Sequence, residues 1–360
     1  MAGAGAIRAA EAIAASADRA GASRTPIIAL RGVSREFRQQ LDLAARLARG
    51  LGVNIREEVV HAVDRIDLDV FQGEVVGLVG ESGCGKSTVG RMVAGLLPPT
   101  SGTILWKGRD RTTLAPREAR AAKLAVQMIF QDPYASLNPR LRVEDIIGEA
   151  PVVHGIVHAS ERDAFLDAQL RRVGLDPGFK RRYPHQFSGG QRQRRQRIGI
   201  ARALILKPEF VVCDEPVSAL DVSVQAQVLG LLRDLRAEMG LTLLFVSHDL
   251  AVVAHLAHRI AVMYLGAIVE EGPRDAVTKR PAHPYTRALL AAVPRLDQPG
   301  AARKRHVGGE LPSPLAPPPG CPFHPRCPEA GPRCAREVPR SAPLEAGHRA
   351  ACHLLDGGVA

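Results

Sequence analysis

The chain has 360 residues, of which 46% are hydrophobic and 24% are charged. This composition is that of a globular protein long enough for about two domains, so a chain disordered throughout and a small disulfide scaffold are both excluded. The net charge of +11 favours anionic partners without choosing among nucleic acid, acidic lipid and a charged small ligand. One Trp and four Tyr leave few aromatic platforms for single-stranded nucleic acid.

Residues 1–25 are small and low in complexity, and we expect a mobile N-terminal extension there. They lack the compact apolar run of a signal peptide. No segment of the chain reaches about 18 uncharged apolar residues, the length that a membrane-spanning helix needs. The expectation is therefore a chain that stays in the cytosol and does not cross a membrane alone, so disulfides are not expected.

The predicted elements alternate between strands and helices. Residues 26–38 and 63–70 have strand-like patterns, and an insert of loop or helix (39–60) separates them. Short apolar runs at 75–79, 210–213 and 242–246 suit buried parallel strands, and 222–239 suits a helix. This alternation predicts an α/β layered domain. Residues 136–200 are more helical and predict an inserted lobe, whereas the Pro- and Cys-rich chain after about residue 281 suggests a separate loop-rich module.

A glycine-rich segment follows the apolar run 75–79. Its sequence is Gly80-Glu81-Ser82-Gly83-Cys84-Gly85-Lys86-Ser87-Thr88. It matches G-x-x-x-x-G-K-[ST] between a predicted strand and a predicted helix, where backbone N–H groups can cradle phosphate oxygens. We therefore predict that Lys86 reaches the β- and γ-phosphates of a nucleotide and that the Ser87 hydroxyl joins the shell of a Mg²⁺ ion. Cys84 is either a reactive thiol or a small residue tolerated in the loop.

Two carboxylates end the apolar run 210–213. Asp214 is expected near the Mg²⁺, and Glu215 near the water that attacks the γ-phosphate, as general base or polariser. A third apolar run ends before His248, which could hydrogen-bond the γ-phosphate or the water, although a single histidine is more often structural.

These motifs together resemble the ATP-binding cassette (ABC) ATPases. The order is the family's: phosphate loop, Phe130-Gln131-Asp132-Pro133, the signature, Asp214-Glu215, Ser218-Ala219-Leu220-Asp221 and His248. The signature residues are Ser188, Gly189, Gly190 and Gln191. The resemblance implies a P-loop NTPase fold, with a RecA-like core plus a helical subdomain.

The resemblance also assigns roles to individual residues. It implies that Gln131 touches Mg²⁺ and senses the membrane partner, that Asp221 belongs to the D-loop, and that His248 is the switch histidine. Phe37 matches the aromatic that stacks on adenine. In the family, the signature reaches the γ-phosphate bound by the other subunit, so two cassettes close head-to-tail on two nucleotides. ATP and Mg²⁺ are the implied ligands.

The C-terminal segments narrow the resemblance to the ATPases of oligopeptide and dipeptide importers. These segments are His283-Pro284-Tyr285-Thr286-Arg287-Ala288-Leu289, Gly309-Glu310-Leu311-Pro312-Ser313-Pro314 and Cys321-Pro322-Phe323-His324-Pro325-Arg326-Cys327-Pro328. The chain is similar to the second, F-type ATPase of the pair. This implies an ABC ATPase domain at 26–280, a C-terminal extension at 281–360, a paired ATPase, two permeases, a substrate-binding protein, and a peripheral place at the cytoplasmic face of the membrane.

Four cysteines mark the tail. They are Cys321, Cys327, Cys334 and Cys352. Four thiols in a cytosolic protein suggest a metal centre, and the same ligand set suits zinc or a [4Fe–4S] cluster, while no metal is a third possibility. Some peptide-importer ATPases carry a cluster at matching cysteines, so the resemblance favours the cluster.

One segment departs from the family pattern. Gln191-Arg192-Gln193-Arg194 is followed by an extra Arg195-Gln196-Arg197 before Ile198, as in a three-residue duplication. Three residues turn a helix by about 300°, so we expect the signature to be displaced unless a kink or π-type bulge absorbs the change. The arginines themselves are expected on a solvated helix face.

A second hypothesis is a soluble ABC ATPase that acts on nucleic acid or ribosomes, encouraged by the basic charge. Such proteins usually carry two cassettes or a long insertion, and this chain has one phosphate loop. The sequence leaves open the cargo and the identity of the partner ATPase.

Overall fold

The computed structural model describes residues 25–38, 58–132, 136–187, 192–218, 220–292, 309–345 and 347–356. The predicted N-terminal extension lies outside the described residues except for Thr25, as does most of the insert 39–60. The four signature residues (188–191) also lie outside them. Within these ranges, no helix has the length and apolar character needed to cross a bilayer.

The described strands form two sheets. One is antiparallel, in the order β2-β1-β4-β5, and the other has the order β11-β12-β10-β9-β3-β8-β7-β6. The strands in chain order are β1 (Ile28–Arg38), β2 (Val59–Val70), β3 (Val75–Val79), β4 (Ser101–Trp106), β5 (Arg109–Asp110), β6 (Val126–Ile129), β7 (Phe210–Asp214), β8 (Thr242–Ser247), β9 (Arg259–Tyr264), β10 (Ala267–Pro273), β11 (Ser341–Glu345) and β12 (His348–Ala351).

The main sheet is covered on both faces, since every residue of the mainly apolar central strands β3, β7 and β8 is buried. Strand β3 runs parallel to β8 and β9, and β7 runs parallel to β6 and β8. Val76 and Leu78 pack toward the antiparallel sheet, whereas Val75 and Val79 pack toward helices on the other face. The three predicted apolar strands are thus confirmed.

Helices flank the sheets, and the predicted helix 222–239 is confirmed. In chain order they are α1 (Lys86–Val93), α2 (Pro116–Ala125), α3 (Val143–Val153), α4 (Arg162–Arg172), α5 (Arg192–Leu204), α6 (Val222–Met239), α7 (Leu250–Ala254), α8 (Arg274–Lys279) and α9 (Pro284–Ala292). Helices α3, α4 and α5 lie in the region predicted as a helical lobe, and their apolar side chains join the core on the Val75 face of the main sheet.

The arginine run of α5 is only in part a solvated face, which corrects that expectation: Arg192 is exposed, whereas Arg195 and Gln196 are buried. Arg195 is 3% exposed, and its Nε donates to the carbonyl of Pro184 at 2.7 Å. Arg197 Nη1 donates to the carbonyl of Val173 at 2.8 Å, at the end of α4. Helix α5 is continuous from Arg192 to Leu204, so within this stretch no bulge absorbs the three extra residues.

The tail continues the main sheet instead of standing apart, so the expectation of a separate module is wrong in this respect. Strand β12 pairs antiparallel with β10, and β11 pairs with β12. Two carboxylates of β10 hold the added strand: Glu270 bonds His348 Nε2 at 2.8 Å, and Glu271 accepts from Arg349 Nε at 2.9 Å. Polar pairs therefore replace the apolar pattern that would have revealed these strands in the sequence.

Candidate active site

The glycine-rich loop 80–88 runs from the end of β3 into the first turn of α1, at the carboxyl edge of the main sheet. Gly85 has a φ of +105°, and a Cβ at this position would collide with the carbonyl oxygen of Ala62. Lys86 is buried, and its Nζ donates to the carbonyls of Gly80 at 2.7 Å and Glu81 at 2.8 Å. The loop is thus curled around its own lysine, the shape in which backbone N–H groups can face an anion.

Cys84 lies buried in the same loop, and burial raises the pKa of its thiol. A raised pKa disfavours the thiolate, which is the reactive form. The structure therefore favours the interpretation of Cys84 as a small packed residue over that of a reactive thiol.

Oxygen ligands suited to a magnesium ion meet beside the loop. Ser87 Oγ donates to Asp214 Oδ1 at 2.8 Å, across the gap between α1 and the end of β7. Burial raises the pKa of Asp214, and the Ser87 hydrogen bond and Arg91 oppose that rise. A hydroxyl and a carboxylate at hydrogen-bond distance are hard oxygen donors of the kind Mg²⁺ prefers, so these residues fit the ion.

Glu215 is the centre of a second polar group. Its Oε2 accepts from Gln131 Nε2 at 3.0 Å and lies 3.3 Å from His248 Nδ1. These residues follow the parallel strands β6, β7 and β8, and the carboxyl ends of parallel strands share one edge of a sheet. Glu215 is 8% exposed and has a φ of +43°, a costly backbone conformation that its surroundings must hold in place.

The remaining predicted residues are less closely assembled. Phe37 lies on β1, 39% exposed, with the Arg35 guanidinium 4.8 Å from its ring centre. Asp221 stands immediately before α6 and does not cap that helix with its side chain. Ser82, Gly83 and Thr88 lie within the loop and the first turn of α1.

The C-terminal segments contact the loop, a feature that sequence reasoning missed. Arg326 forms a bidentate ion pair with the Glu81 carboxylate, and the hydroxyl oxygen of Tyr285 accepts a hydrogen bond from the Glu81 N–H at 2.9 Å. In the sequence, Tyr285 lies 204 positions from Glu81 and Arg326 lies 245 positions from it. The sequence carries no signal for such distant pairs, although both residues lie in the segments that resemble peptide-importer ATPases.

The four tail cysteines line one pocket, with His283 and His324 among its other walls. All four are free thiols. Burial raises the pKa of Cys321 to about 11, and it raises those of Cys327 and Cys352, with neighbouring cysteines adding to each rise. Among the residues described, no group of three or more His, Cys, Asp or Glu side chains is arranged to hold a single metal ion.

The fold and the loop define an ATPase of the P-loop cassette class, and comparison with known proteins agrees. Residues 63–218 match the family described as "ABC transporter", and residues 269–334 match "Oligopeptide/dipeptide transporter, C-terminal region". The solved structure "Dimeric Structure of MJ0796, a Bacterial ABC Transporter Cassette" has a TM-score of 0.56 and 28% identity, covering 69% of this chain and 98% of that one.

Curated relatives extend the likeness over most of the chain. A "Probable peptide ABC transporter ATP-binding protein" of Sinorhizobium fredii is 52% identical, over 82% of this chain and 83% of the relative. The "Oligopeptide transport ATP-binding protein AppF" of Bacillus subtilis is 49% identical, over 82% and 90%.

The chain belongs to the ABC transporter ATP-binding proteins that carry the oligopeptide/dipeptide C-terminal region. It is therefore a cassette that binds and hydrolyses ATP, as the sequence predicted. The alternative of a soluble ATPase acting on nucleic acid finds no support.

Proposed function

We propose that this chain powers the uptake of dipeptides or oligopeptides across the cytoplasmic membrane. The observation that carries the proposal is its C-terminal region, which matches that of oligopeptide/dipeptide transporters, together with relatives whose names state peptide transport. In this proposal residues 26–280 form the ATPase domain, with a helical subdomain at about 136–200, and 281–360 form the extension. Residues 1–25 are an appendage.

The proposed assembly has two ATPase subunits beneath two membrane permeases, at the cytoplasmic face. The second ATPase is a related chain or another copy of this one, and a substrate-binding protein delivers the peptide. Dimers are known among similar cassettes, since one solved relative is titled a dimer in "a post-hydrolysis state" bound to ADP and Pi. The signature residues 188–191 would face the nucleotide of the partner subunit.

In the proposed mechanism, the loop 80–88 holds the triphosphate. Lys86 now donates to two loop carbonyls, and it would turn its Nζ to the β- and γ-phosphates when they enter. Ser87, Asp214 and Gln131 would hold Mg²⁺, which draws charge from the phosphates. Phe37 would stack on the adenine.

Glu215 would then act on the attacking water. Its Oε2 accepts the water proton as the oxygen bonds to the γ-phosphorus and the bond to the ADP oxygen breaks. Gln131 and His248 already contact Glu215 Oε2, so they would orient the carboxylate. The exposed side chain of His248 would be able to turn to the γ-phosphate. Asp221 would lie at the interface between the subunits.

Two substitutions test this assignment in cells and with the purified chain. Lys86→Ala should abolish ATP binding, whereas Glu215→Gln should retain binding and lower hydrolysis by about 100-fold or more, since an amide cannot take the proton. Both should stop uptake of labelled peptide. The measurements are nucleotide affinity, phosphate release and transport.

The matched controls are Lys123→Ala and Glu161→Gln, which remove the same charges at exposed sites on other elements. They should leave all three measurements unchanged. Uptake that survives Lys86→Ala, or that concerns sugars and not peptides, would contradict the proposal.

We also propose that the pocket of four cysteines holds a [4Fe–4S] cluster. The support is the shared pocket, in which four free thiols from separate turns and loops of the tail lie together with histidine side chains. Each thiolate of such a cluster binds a different iron, so the site does not require the four sulfurs to meet at one point. The group would brace a tail that has little apolar surface of its own.

Anaerobic purification tests the cluster. We expect iron and sulfide in the protein with absorbance at about 400 nm, and loss of both in Cys334→Ser. Cys84→Ser, outside the pocket, is the control and should keep the iron. Zinc without iron would replace the cluster by a zinc site, and a metal-free protein would refute both.

A further inference from the structure

We propose that Arg326 and Tyr285 of the C-terminal extension are positioning residues for ATP: they hold Glu81, and through it the phosphate loop, in the shape that receives the nucleotide. The inference rests on the proposed role of the loop 80–88 as the phosphate site. In this proposal neither residue contacts the nucleotide itself; each acts through its contact with Glu81.

The first contact is a partly buried ion pair. Arg326 Nη1 donates to Glu81 Oε2 at 2.6 Å, and Nη2 donates to Oε1 at 2.9 Å. The Arg326 side chain is only 6% exposed and that of Glu81 is 28% exposed, so water screens the pair poorly. Two parallel charge-assisted hydrogen bonds fix both the distance and the orientation of a carboxylate. Glu81 is therefore held in one direction.

The second contact fixes the backbone of the same residue. The Glu81 N–H donates to Tyr285 Oη at 2.9 Å, and the Glu81 carbonyl accepts from Lys86 Nζ at 2.8 Å. Tyr285 is fully buried, with its ring 4.7 Å from that of Tyr264 and 5.4 Å from that of Phe323. Glu81 is thus anchored through its side chain, its N–H and its carbonyl, and the last anchor is the lysine that must meet the phosphates.

The chain that carries Arg326 passes beside the loop. The Pro314 carbonyl accepts from the N–H of His61 at 3.1 Å, on β2. Leu311 Cδ2 lies 3.9 Å from where a Cβ on Gly83 would stand. Residues 309–316 and 321–327 therefore lie beside the phosphate loop and the neighbouring strand β2. This arrangement gives a peptide-importer extension a direct mechanical route to the ATP site.

A purely structural ion pair would make a different prediction, so the test must separate stability from nucleotide binding. We would measure ATP affinity, kcat, KM and the thermal midpoint of the nucleotide-free full-length chain for Glu81→Gln, Arg326→Gln and the double variant. A positioning role predicts about tenfold weaker ATP binding and a raised KM in each single variant, with kcat changed less than about twofold.

The double variant should bind no more weakly than either single one, because the two changes remove the same interaction. Tyr285→Phe should weaken binding about threefold, since the Glu81 N–H loses its acceptor. Arg287→Gln is the matched control: it breaks an exposed pair with Glu329 in the same extension, away from the loop, and should change nothing.

Unchanged ATP affinity in Arg326→Gln, additive losses in the double variant, or a lowered midpoint with normal affinity would each overturn the inference. Lys86→Ala distinguishes this failure from that of the proposed function. If Lys86→Ala loses ATP while Arg326→Gln does not, only the positioning role is wrong. If both bind normally, the loop is not the phosphate site.

Discussion

The phosphate loop has two sides that are built differently. On the side of the extension, Glu81, Tyr285 and Arg326 are locked by short hydrogen bonds among buried rings. On the side of hydrolysis, Glu215 meets Gln131 and His248, and the His248 side chain is 48% exposed. Sites that must hold a ligand profit from rigid support, whereas groups that complete a reaction on closure must be able to move. Under the proposed function, one chain would thus hold the phosphate loop in a fixed shape and leave His248 free to move on the hydrolytic side.

Gly85→Ala attacks the rigid side most directly and should have the largest effect. The residue would need a φ of +105° and its Cβ would strike the Ala62 carbonyl, so the loop must shift. We expect ATP binding to fall by about 100-fold or more, measured with a fluorescent nucleotide.

Gly73→Ala serves as its control, because Gly73 also has a positive φ, +75°, but nothing lies within 4 Å of its Cβ position. It should lower the unfolding free energy by about 1 kcal/mol and leave ATP affinity intact. Equal losses of affinity in the two variants would show that backbone strain, and not the collision, matters.

Glu270→Ala tests the support beneath Tyr285. The Glu270 carboxylate is 1% exposed and accepts from the N–H groups of Ala282 and His283 at 2.8 and 2.9 Å, and it bonds His348. Its removal leaves these groups unpaired, so the unfolding free energy should drop by about 3–5 kcal/mol in denaturant titration. Glu161→Ala, at an exposed site outside this cluster, is the control; a loss below about 1 kcal/mol at Glu270 would refute the role.

The sequence predicted the two sides of the loop unequally. Asp214 and Glu215 stand at the end of one apolar run, and Lys86 and Ser87 follow another through the glycine-rich motif, so local pattern and the rule for parallel sheet edges bring them together. The support on the other side depends on Arg326 and on strands β11 and β12. These strands contain Pro343 and several alanines, which have little strand preference, and charged pairs with β10 specify them. Pairing between strands so far apart in the chain leaves no hydrophobic periodicity in the sequence from which it could be predicted.

The arginine run of α5 shows the same limit of prediction from the sequence, here on the hydrolytic side. A charge cluster normally indicates a solvated face, yet Arg195 and Arg197 reach carbonyls at the ends of neighbouring segments. The burial of these side chains depends on where α4 and residues 184–187 lie, which the local sequence does not specify.

Deletion of Arg195–Arg197 sharpens the comparison on the hydrolytic side. The preceding triplet, Arg192-Gln193-Arg194, has the same sequence, so it can take over the buried contacts and the fold should survive. If the extra residues displace the signature, the deletion should raise ATPase activity by about threefold and leave ATP affinity unchanged. Unchanged or lower activity, with an unchanged thermal midpoint, would show that the signature is already in place.

A pH titration tests the smallest effect, at the base of β3. His258 Nδ1 accepts from the N–H of Val75, the first residue of the strand that leads to the phosphate loop, and burial together with Arg236 and Arg274 lowers the pKa of His258 below its usual 6.5. The unfolded chain therefore binds a proton more readily than the folded one, so stability should decline as pH falls through 6.5 and below. The side chain is partly exposed and solvent weakens the effect, so the decline should be small.

In His258→Asn the amide oxygen can accept the same hydrogen bond without titrating, and the thermal midpoint should lose this part of its pH dependence, whereas His255→Asn, three residues away, should keep it. An identical pH profile in all three proteins would show that the titration of His258 contributes nothing to stability in this range, and would refute this prediction.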